Sequence, residues 1–316
     1  MTTKFKYSNV VDIHMPFIEK QLHGKHYYYY LVKSIRTSAA KVKKIRIFLG
    51  REIPKHEELQ QYFLEIEKMA ASQYNSRWLS KELMEKLDDL RASIIVFNKA
   101  PDNALPKDFL VRYTYNTNAI EGNKLTLRQT ALVISDKIAP EGSRTEDVVE
   151  ALNSLDAWEF VKKHKGGLNK KFLCEIQYEI TKNTSCRIQG DYRDGGVRIM
   201  GSEYIPPKAL EIAGLMQKLF EEYRKQKKAL HPVELATLMH NKLVNVHPFT
   251  DGNGRTARLL MNWILLKNHF PAVVIEVANK EEYYRCIEYA DKGDQKHFAV
   301  FLAEQLLKQY TVALQN

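Results

Sequence analysis

Cysteine is scarce. The chain has three, at Cys174, Cys186 and Cys286, an odd number with no CxxC spacing. Neither a disulfide framework nor a thiolate zinc site is supported by that pattern. No unbroken apolar stretch approaches the ~18 residues that a membrane span needs. The opening MTTKFKYSNVVDIHM lacks the apolar core of a signal peptide. HExxH, Walker A and Rossmann fingerprints are missing, so P-loop kinase and dehydrogenase readings have no support. His231, His240 and His247 are spaced nine and seven apart, which fits no common zinc pattern, and His240 reads as a core residue. These absences predict a soluble, cytoplasmic protein with no membrane partner.

What is present describes a folded chain of ordinary composition. Hydrophobic residues make up 44% and charged residues 27%, and 17 Tyr, 13 Phe and 3 Trp are too many aromatics for a disordered protein. A length of 316 residues gives room for about two domains. Net charge is +10, and residues 1–60 hold 12 Lys and Arg against 5 Asp and Glu. Seven of the ten positive charges therefore sit in the first fifth of the chain. Any case for nucleic acid as a partner concerns residues 1–60 alone, where Lys41, Lys43, Lys44 and Arg46 accompany the rings of Tyr27–Tyr30.

Tyr27–Val32 and Val42–Phe48 are rich in strand formers, and the second alternates apolar with basic residues. A β-hairpin with one basic and one apolar face is expected there. Residues 55–98 turn to helical spacing, and 98–106, with two prolines, reads as a linker. Beyond it the pattern is helical from 106 to 314, with Thr126 and Gln129 forming a capping box. The exception is the glycine-rich stretch 190–207, whose short alternating run from Val197 to Ile199 predicts a second hairpin. The fold class is mainly α, with two small hairpins.

Chemistry concentrates in residues 247–258, HPFTDGNGRTAR, a polar loop between two apolar helices. Gly252, Asn253 and Gly254 can turn their backbone N–H groups toward an anion. A helix starting near Gly254 adds its positive end. Arg255 and Arg258, three apart, share a face and can clamp successive phosphates. Asp251 offers a hard oxygen suited to Mg2+, and His247 can accept a proton near neutral pH. Together they make a nucleotide site with a base beside it.

The same twelve residues match the Fic-domain signature His-x-Phe-x-(Asp/Glu)-Gly-Asn-Gly-Arg-x-x-Arg at every fixed position. The chain resembles that family from about residue 106 to 306. The resemblance implies a helical bundle core with a β-hairpin flap, to which a small N-terminal α+β appendage is added here. It implies a protein adenylyltransferase that moves AMP from ATP, with Mg2+, to a Ser, Thr or Tyr hydroxyl of a target protein. His247 would deprotonate the hydroxyl, Asp251 would hold Mg2+, and Gly252–Gly254, Arg255 and Arg258 would hold the phosphates. Tyr284 and Asp291 fall where the family contacts adenine, although relatives often carry Asn at the second position. Val197, Ile199, Met200 and Gly201 fall in the family's target-docking flap.

Residues 117–122, TNAIEG, resemble the family's inhibitory motif (Ser/Thr)-x-x-x-Glu-(Gly/Asn). Glu121 would then pair with Arg258 and deny it to the γ-phosphate. The expected organisation is a basic region at 1–100, an inhibitory helix with the first core helices at 106–165, and a catalytic core at 168–306. Alternatives are a nucleotide-sensing regulator, a nucleic-acid-binding protein with a Fic core, another donor, or removal of AMP. Self-modification and a homodimer are left open, and the target stays unnamed.

Overall fold

A computed structural model describes residues 16–36, 42–71, 74–97, 107–199 and 204–311. The chain divides into two units, residues 1–75 with 81–103 and residues 76–80 with 104–316. The expected linker at 98–106 lies outside the described residues.

The first unit holds strands β1 (Phe17–His23), β2 (His26–Arg36) and β3 (Val42–Gly50), antiparallel in the order β1-β2-β3. Within it, the 27–32 and 42–48 segments pair, with Leu31 opposite Ile47 and Tyr30 opposite Phe48. β1 is an addition to the hairpin read from sequence. It turns into β2 through Gly24 at φ +63, the first central position of a two-residue turn, which glycine enters without strain. Helices α1 (His56–Ala71) and α2 (Lys81–Phe97) complete the unit. The helical spacing of residues 55–98 thus resolves into two helices. α1 presents Leu59, Phe63 and Ile66 at helical spacing to the sheet face carrying Leu31, Ile45, Ile47 and Leu49. Under this face Lys33 Nζ lies 2.5 Å from both carboxylate oxygens of Glu67, both residues buried.

In the second unit the helical pattern expected from 106 to 314 resolves into nine α-helices among the described residues. They are α3 (Lys107–Ile120), α4 (Leu127–Ala131), α5 (Thr145–Lys163), α6 (Lys170–Thr181), α7 (Ala209–Gln226), α8 (Pro232–Val246), α9 (Asn253–Lys267), α10 (Lys280–Asp291) and α11 (Lys296–Thr311). Thr126 and Gln129 form their capping box. α4 runs into a π-helical turn, Leu132–Asp136. α8 and α9 are the centre: Leu235, Ala236, Met239 and Leu243 on one, Leu259, Leu260, Ile264 and Leu265 on the other, are all buried. Apolar residues on every side of a helix require neighbours on every side, and α7, α10 and α11 pack on α8 while α5 and α6 pack on α9. Glu234 on α8, fully buried, accepts hydrogen bonds from Ser76 Oγ and from the backbone N–H groups of Arg77, Trp78 and Leu79. That carboxylate draws residues 76–80 into the second unit. No helix among the described residues is long and apolar enough to cross a membrane.

Removing one partner of a buried ion pair leaves an unanswered charge. Lys33→Met is expected to destabilise the first unit by about 3–5 kcal/mol. Lys33→Met with Glu67→Leu should recover most of it. Denaturant unfolding of the whole chain checks this; equal losses in the single and double variants would contradict it.

Candidate active site

The loop between α8 and α9 is shaped by backbone rules before any side chain acts. His247 ends α8 at φ +49, donating its N–H to the Leu243 carbonyl at 3.0 Å. Gly252 caps α9 at φ +79, where an added Cβ would sit 3.3 Å from Ile180 and Thr181. Asn253 closes the loop on itself: its Oδ1 accepts from the Phe249 N–H and its Nδ2 donates to the Phe249 carbonyl, both at 2.9 Å. Its side chain is thus occupied in shaping the turn, while the backbone of Gly252–Gly254 forms the start of α9.

His247 is half-buried. Its Nδ1 lies 3.3 Å from the Val244 carbonyl, which can only accept, so Nδ1 carries the proton and Nε2 is left as the acceptor. Burial holds the imidazole below its ordinary pKa, and the charge of Arg193 adds to this. The ring is therefore neutral at pH 7. Arg193 is a residue that sequence reasoning missed. Buried at 3% exposure, it donates from Nε to the His247 carbonyl (2.8 Å), from one terminal nitrogen to Gly195 (2.7 Å) and from the other to Pro207 (2.6 Å). Its backbone N–H adds a bond to Pro248. One guanidinium thus ties Gly195 and Pro207 to the residue bearing the imidazole.

Arg258 projects from the first turns of α9 into a fully protein-lined seat, 2% exposed. Nε donates to Thr117 Oγ1 at 2.9 Å, and Nη2 donates to the Thr117 carbonyl at 2.9 Å and to Glu121 Oε1 at 2.7 Å. Nη1 donates to the Tyr283 hydroxyl at 3.3 Å, which lies 2.8 Å from His240 Nε2. Burial pushes the His240 pKa down to about 3, so the ring is neutral and can accept the tyrosine proton. Arg258 is consequently anchored on three sides, of which Glu121 is one.

Glu121 is placed by the end of α3. The N–H of Gly122, at φ +101, bonds to Ala119 and that of Asn123 to Asn118, the paired bonds that close a helix with a glycine just past its cap. Asn123 then donates to Glu150 Oε2 at 2.8 Å on α5. The Glu121 carboxylate stands where a Cβ on Gly254 would run into it, over the positive end of α9. Burial would raise its pKa; Arg258, helped by Arg255, outweighs that and holds it below the ordinary range. The pair is lopsided in exposure, with the glutamate side chain at 33% and the arginine at 2%.

Arg255 is buried too, donating to Glu150 Oε1 at 2.7 Å and to Asp251 Oδ2 at 3.1 Å. Glu150, like Arg193, was not visible from sequence, because a pairing 105 residues away has no local pattern. The Asp251 side chain is 55% exposed and its other oxygen accepts from the Gly252 N–H. No group of three His, Cys, Asp or Glu among the described residues could hold a metal alone. Asp251 fits a Mg2+ ion that takes its other ligands from phosphates and water. Tyr284 donates to the Ile120 carbonyl at 3.3 Å, joining α10 to the end of α3. Asp291, half-buried at the end of α10, accepts from Asn245 on α8 at 3.1 Å. Val197 and Ile199 carry no strand pairing among the described residues, and Met200 and Gly201 lie outside them.

This geometry has known counterparts. Residues 167–265 match the model of the Fic/DOC family. The chain carries a domain of the Fic/DOC family. It is 33% identical over 236 residues to a protein adenylyltransferase Fic from Nematostella vectensis, covering 71% of this chain and 54% of that one. A protein of the same name from Drosophila mojavensis is 32% identical over 234 residues, covering 72% and 46%. The chain therefore spans about half the length of the curated relatives it matches. The crystal structure of a Fic domain containing signaling protein from Bacteroides thetaiotaomicron superposes with a TM-score of 0.64 at 26% identity, covering 72% of this chain and 97% of that one. A Fic family protein from Desulfovibrio desulfuricans gives 0.64 at 25% identity, covering 77% of each.

A lowered pKa keeps the His247 ring neutral to lower pH than usual. Its titration by nuclear magnetic resonance is expected to have a midpoint below the ~6.5 of a free imidazole, with the proton of the neutral ring on Nδ1. A midpoint at or above that value, or the opposite tautomer, would contradict the geometry.

Proposed function

We propose that this chain is a Mg2+-dependent protein adenylyltransferase that moves AMP from ATP to a Ser, Thr or Tyr hydroxyl of a target protein, and that Glu121 restrains it. The observation that carries the reading is His247 with its Nδ1 against the Val244 carbonyl, which leaves Nε2 as the acceptor, set at one end of a loop whose other end is the start of α9 with Arg258 beneath it. The names of the curated relatives support the reaction class, and a helix N-terminus with two arginines suits a triphosphate.

In this reading the phosphates lie over Gly252–Gly254, with the terminal ones toward Arg258. Nε2 of His247 takes the proton of the target hydroxyl as its oxygen attacks the α-phosphorus. The bond from that phosphorus to its bridging oxygen breaks, and pyrophosphate leaves. Mg2+, when bound at Asp251, neutralises charge on the phosphates. The chain's own part is positioning: Arg193 holds His247, and Thr117 and Tyr283 hold Arg258. Residues 193–207 would register the target by backbone pairing, with Tyr284 and Asp291 on the side of the base.

Glu121 restrains transfer by standing in the phosphate seat. It takes one N–H of Arg258 and places negative charge at the helix end where the terminal phosphate belongs. An exposed ion pair contributes only about 0.2–1 kcal/mol, and breaking a buried one costs about 3–5 kcal/mol. With one partner buried and the other a third exposed, this pair falls between. Because Thr117 and Tyr283 still hold Arg258, loss of Glu121 frees the seat without dismantling it.

Transfer of label from α-labelled ATP to the protein itself tests this without a known target. Wild type should label weakly, Glu121→Gly about ten- to a hundredfold more, equivalent to ~1.4–2.7 kcal/mol, and His247→Ala not at all. If all three stay unlabelled while ATP still binds, the AMP-transfer reading fails. If the glycine variant labels no faster than wild type, the restraint fails and the reaction stands.

A further inference from the structure

The three-stranded sheet of the first unit has two unlike faces, and α1 accounts for only one. On the other face Tyr28 and Tyr30 of β2 and Phe48 of β3 form a contiguous aromatic patch. Ring centroids lie 5.9 Å apart for Tyr28–Phe48 and 5.4 Å for Tyr30–Phe48. Phe48 is 54% exposed and both tyrosines are partly exposed. Its placement follows from period-two alternation on β3, which turns Ile45 and Ile47 to the core and Phe48 away from it; beyond Phe48 the register shifts, Tyr29 opposing Gly50, so Leu49 is the extra residue of a bulge. Leu49 goes into the core and Phe48 to the open face. A basic strand alone would account for solubility. A largely exposed phenylalanine between two tyrosines does not serve that end.

Charge surrounds the rings. Lys44 and Arg46 precede Phe48 on the same face of β3 and are exposed. Arg51 lies over the Tyr28 ring, 5.7 Å from its centroid, with a terminal nitrogen 3.5 Å from the hydroxyl. Residues 16–36 and 42–55 contain nine Lys and Arg against two Glu. One of the two, Glu19, faces Arg46 at 3.7 Å and accepts from Gln21 at 2.9 Å. The other, Glu52, follows Arg51 beyond the strand. Polar Gln21 and His23 on β1 border the patch, with His23 edge-on to Tyr28 at 5.8 Å.

We propose that this face binds single-stranded nucleic acid, with bases stacking on Tyr28, Tyr30 and Phe48 and phosphates tracking Lys44, Arg46 and Arg51. Flat rings are sequence-tolerant platforms for unpaired bases, and a basic border follows the backbone of a strand. A duplex keeps its bases stacked inside and offers the rings nothing, so the arrangement favours a single strand. The proposal concerns the first unit alone and holds whether or not the second transfers AMP.

Fluorescence anisotropy of the 316-residue chain with labelled single-stranded DNA and RNA of about 12 nucleotides, and with a duplex of the same length, tests it. Single strands are expected to bind more tightly than the duplex, with log affinity falling against log salt at a slope of about −2 for three phosphate contacts. Phe48→Leu keeps the apolar bulk and removes the π-face, and should weaken binding about five- to a hundredfold. Phe48→Tyr should bind as wild type. Arg51→Gln should make the slope shallower by about 0.7. Circular dichroism of each variant checks that the sheet is intact. Binding of the leucine variant equal to wild type would show charge alone at work and overturn the platform. Equal binding of duplex and single strand, or no binding at about 20 mM salt, would overturn it as well.

Discussion

A guanidinium taken out of water must have its charge and its N–H groups answered from inside the fold. Arg258 is that group here, and the arrangement around it follows from the need. Thr117 at the end of α3, Glu121 just past it and Tyr283 on α10 all turn toward one side chain of α9. Tyr283 can accept from Arg258 because its own proton goes to a neutral His240. The helix that carries the arginine is itself fixed by apolar packing on α8, so the charged seat is built on the most buried pair of helices in the second unit.

The arrangement also couples elements that a smaller site would leave independent. The turn after α3 holds Glu121 against Arg258 and, two residues later, Asn123 against Glu150. Glu150 in turn holds Arg255, which reaches Asp251. A single short segment therefore touches both arginines of the loop, one directly and one through a carboxylate. Arg193 does the corresponding work on the opposite side, where its guanidinium donates to three backbone carbonyls among the described residues and holds the end of α8 that carries His247.

The parts of this site that could be read from sequence are those encoded over short spans. His247 to Arg258 is one contiguous string, and the Glu121-Gly122 pair announces a helix end by a local rule. Amphipathic helices such as α6 and α7 were legible from their 3.6-residue periodicity, whereas α8 and α9, buried on most sides, were legible as the apolar stretches flanking the polar loop. Glu150, Arg193 and Tyr283 were not, because their partners lie 105, 54 and 25 residues away and meet them only after the bundle has packed. β1 was missed because Phe17-Ile18-Glu19-Lys20 alternates poorly, so its pairing comes from β2 rather than from its own pattern. The break at 76–80 depends on Glu234, another distant carboxylate. The basic strand showed its charge plainly, and Phe48's outward aim follows from the same alternation that turns Ile45, Ile47 and Leu49 inward.

Glu121 and a terminal phosphate are held to compete for the same N–H groups, and competition has a signature that depends on phosphate number. Calorimetric binding of ATP and of AMP to wild type and to Glu121→Ala, both with Mg2+, measures it directly. Loss of the glutamate should tighten ATP about tenfold, ~1.4 kcal/mol, and leave AMP unchanged. Equal effects on the two nucleotides, or none on either, would mean that the carboxylate does not stand in the phosphate seat.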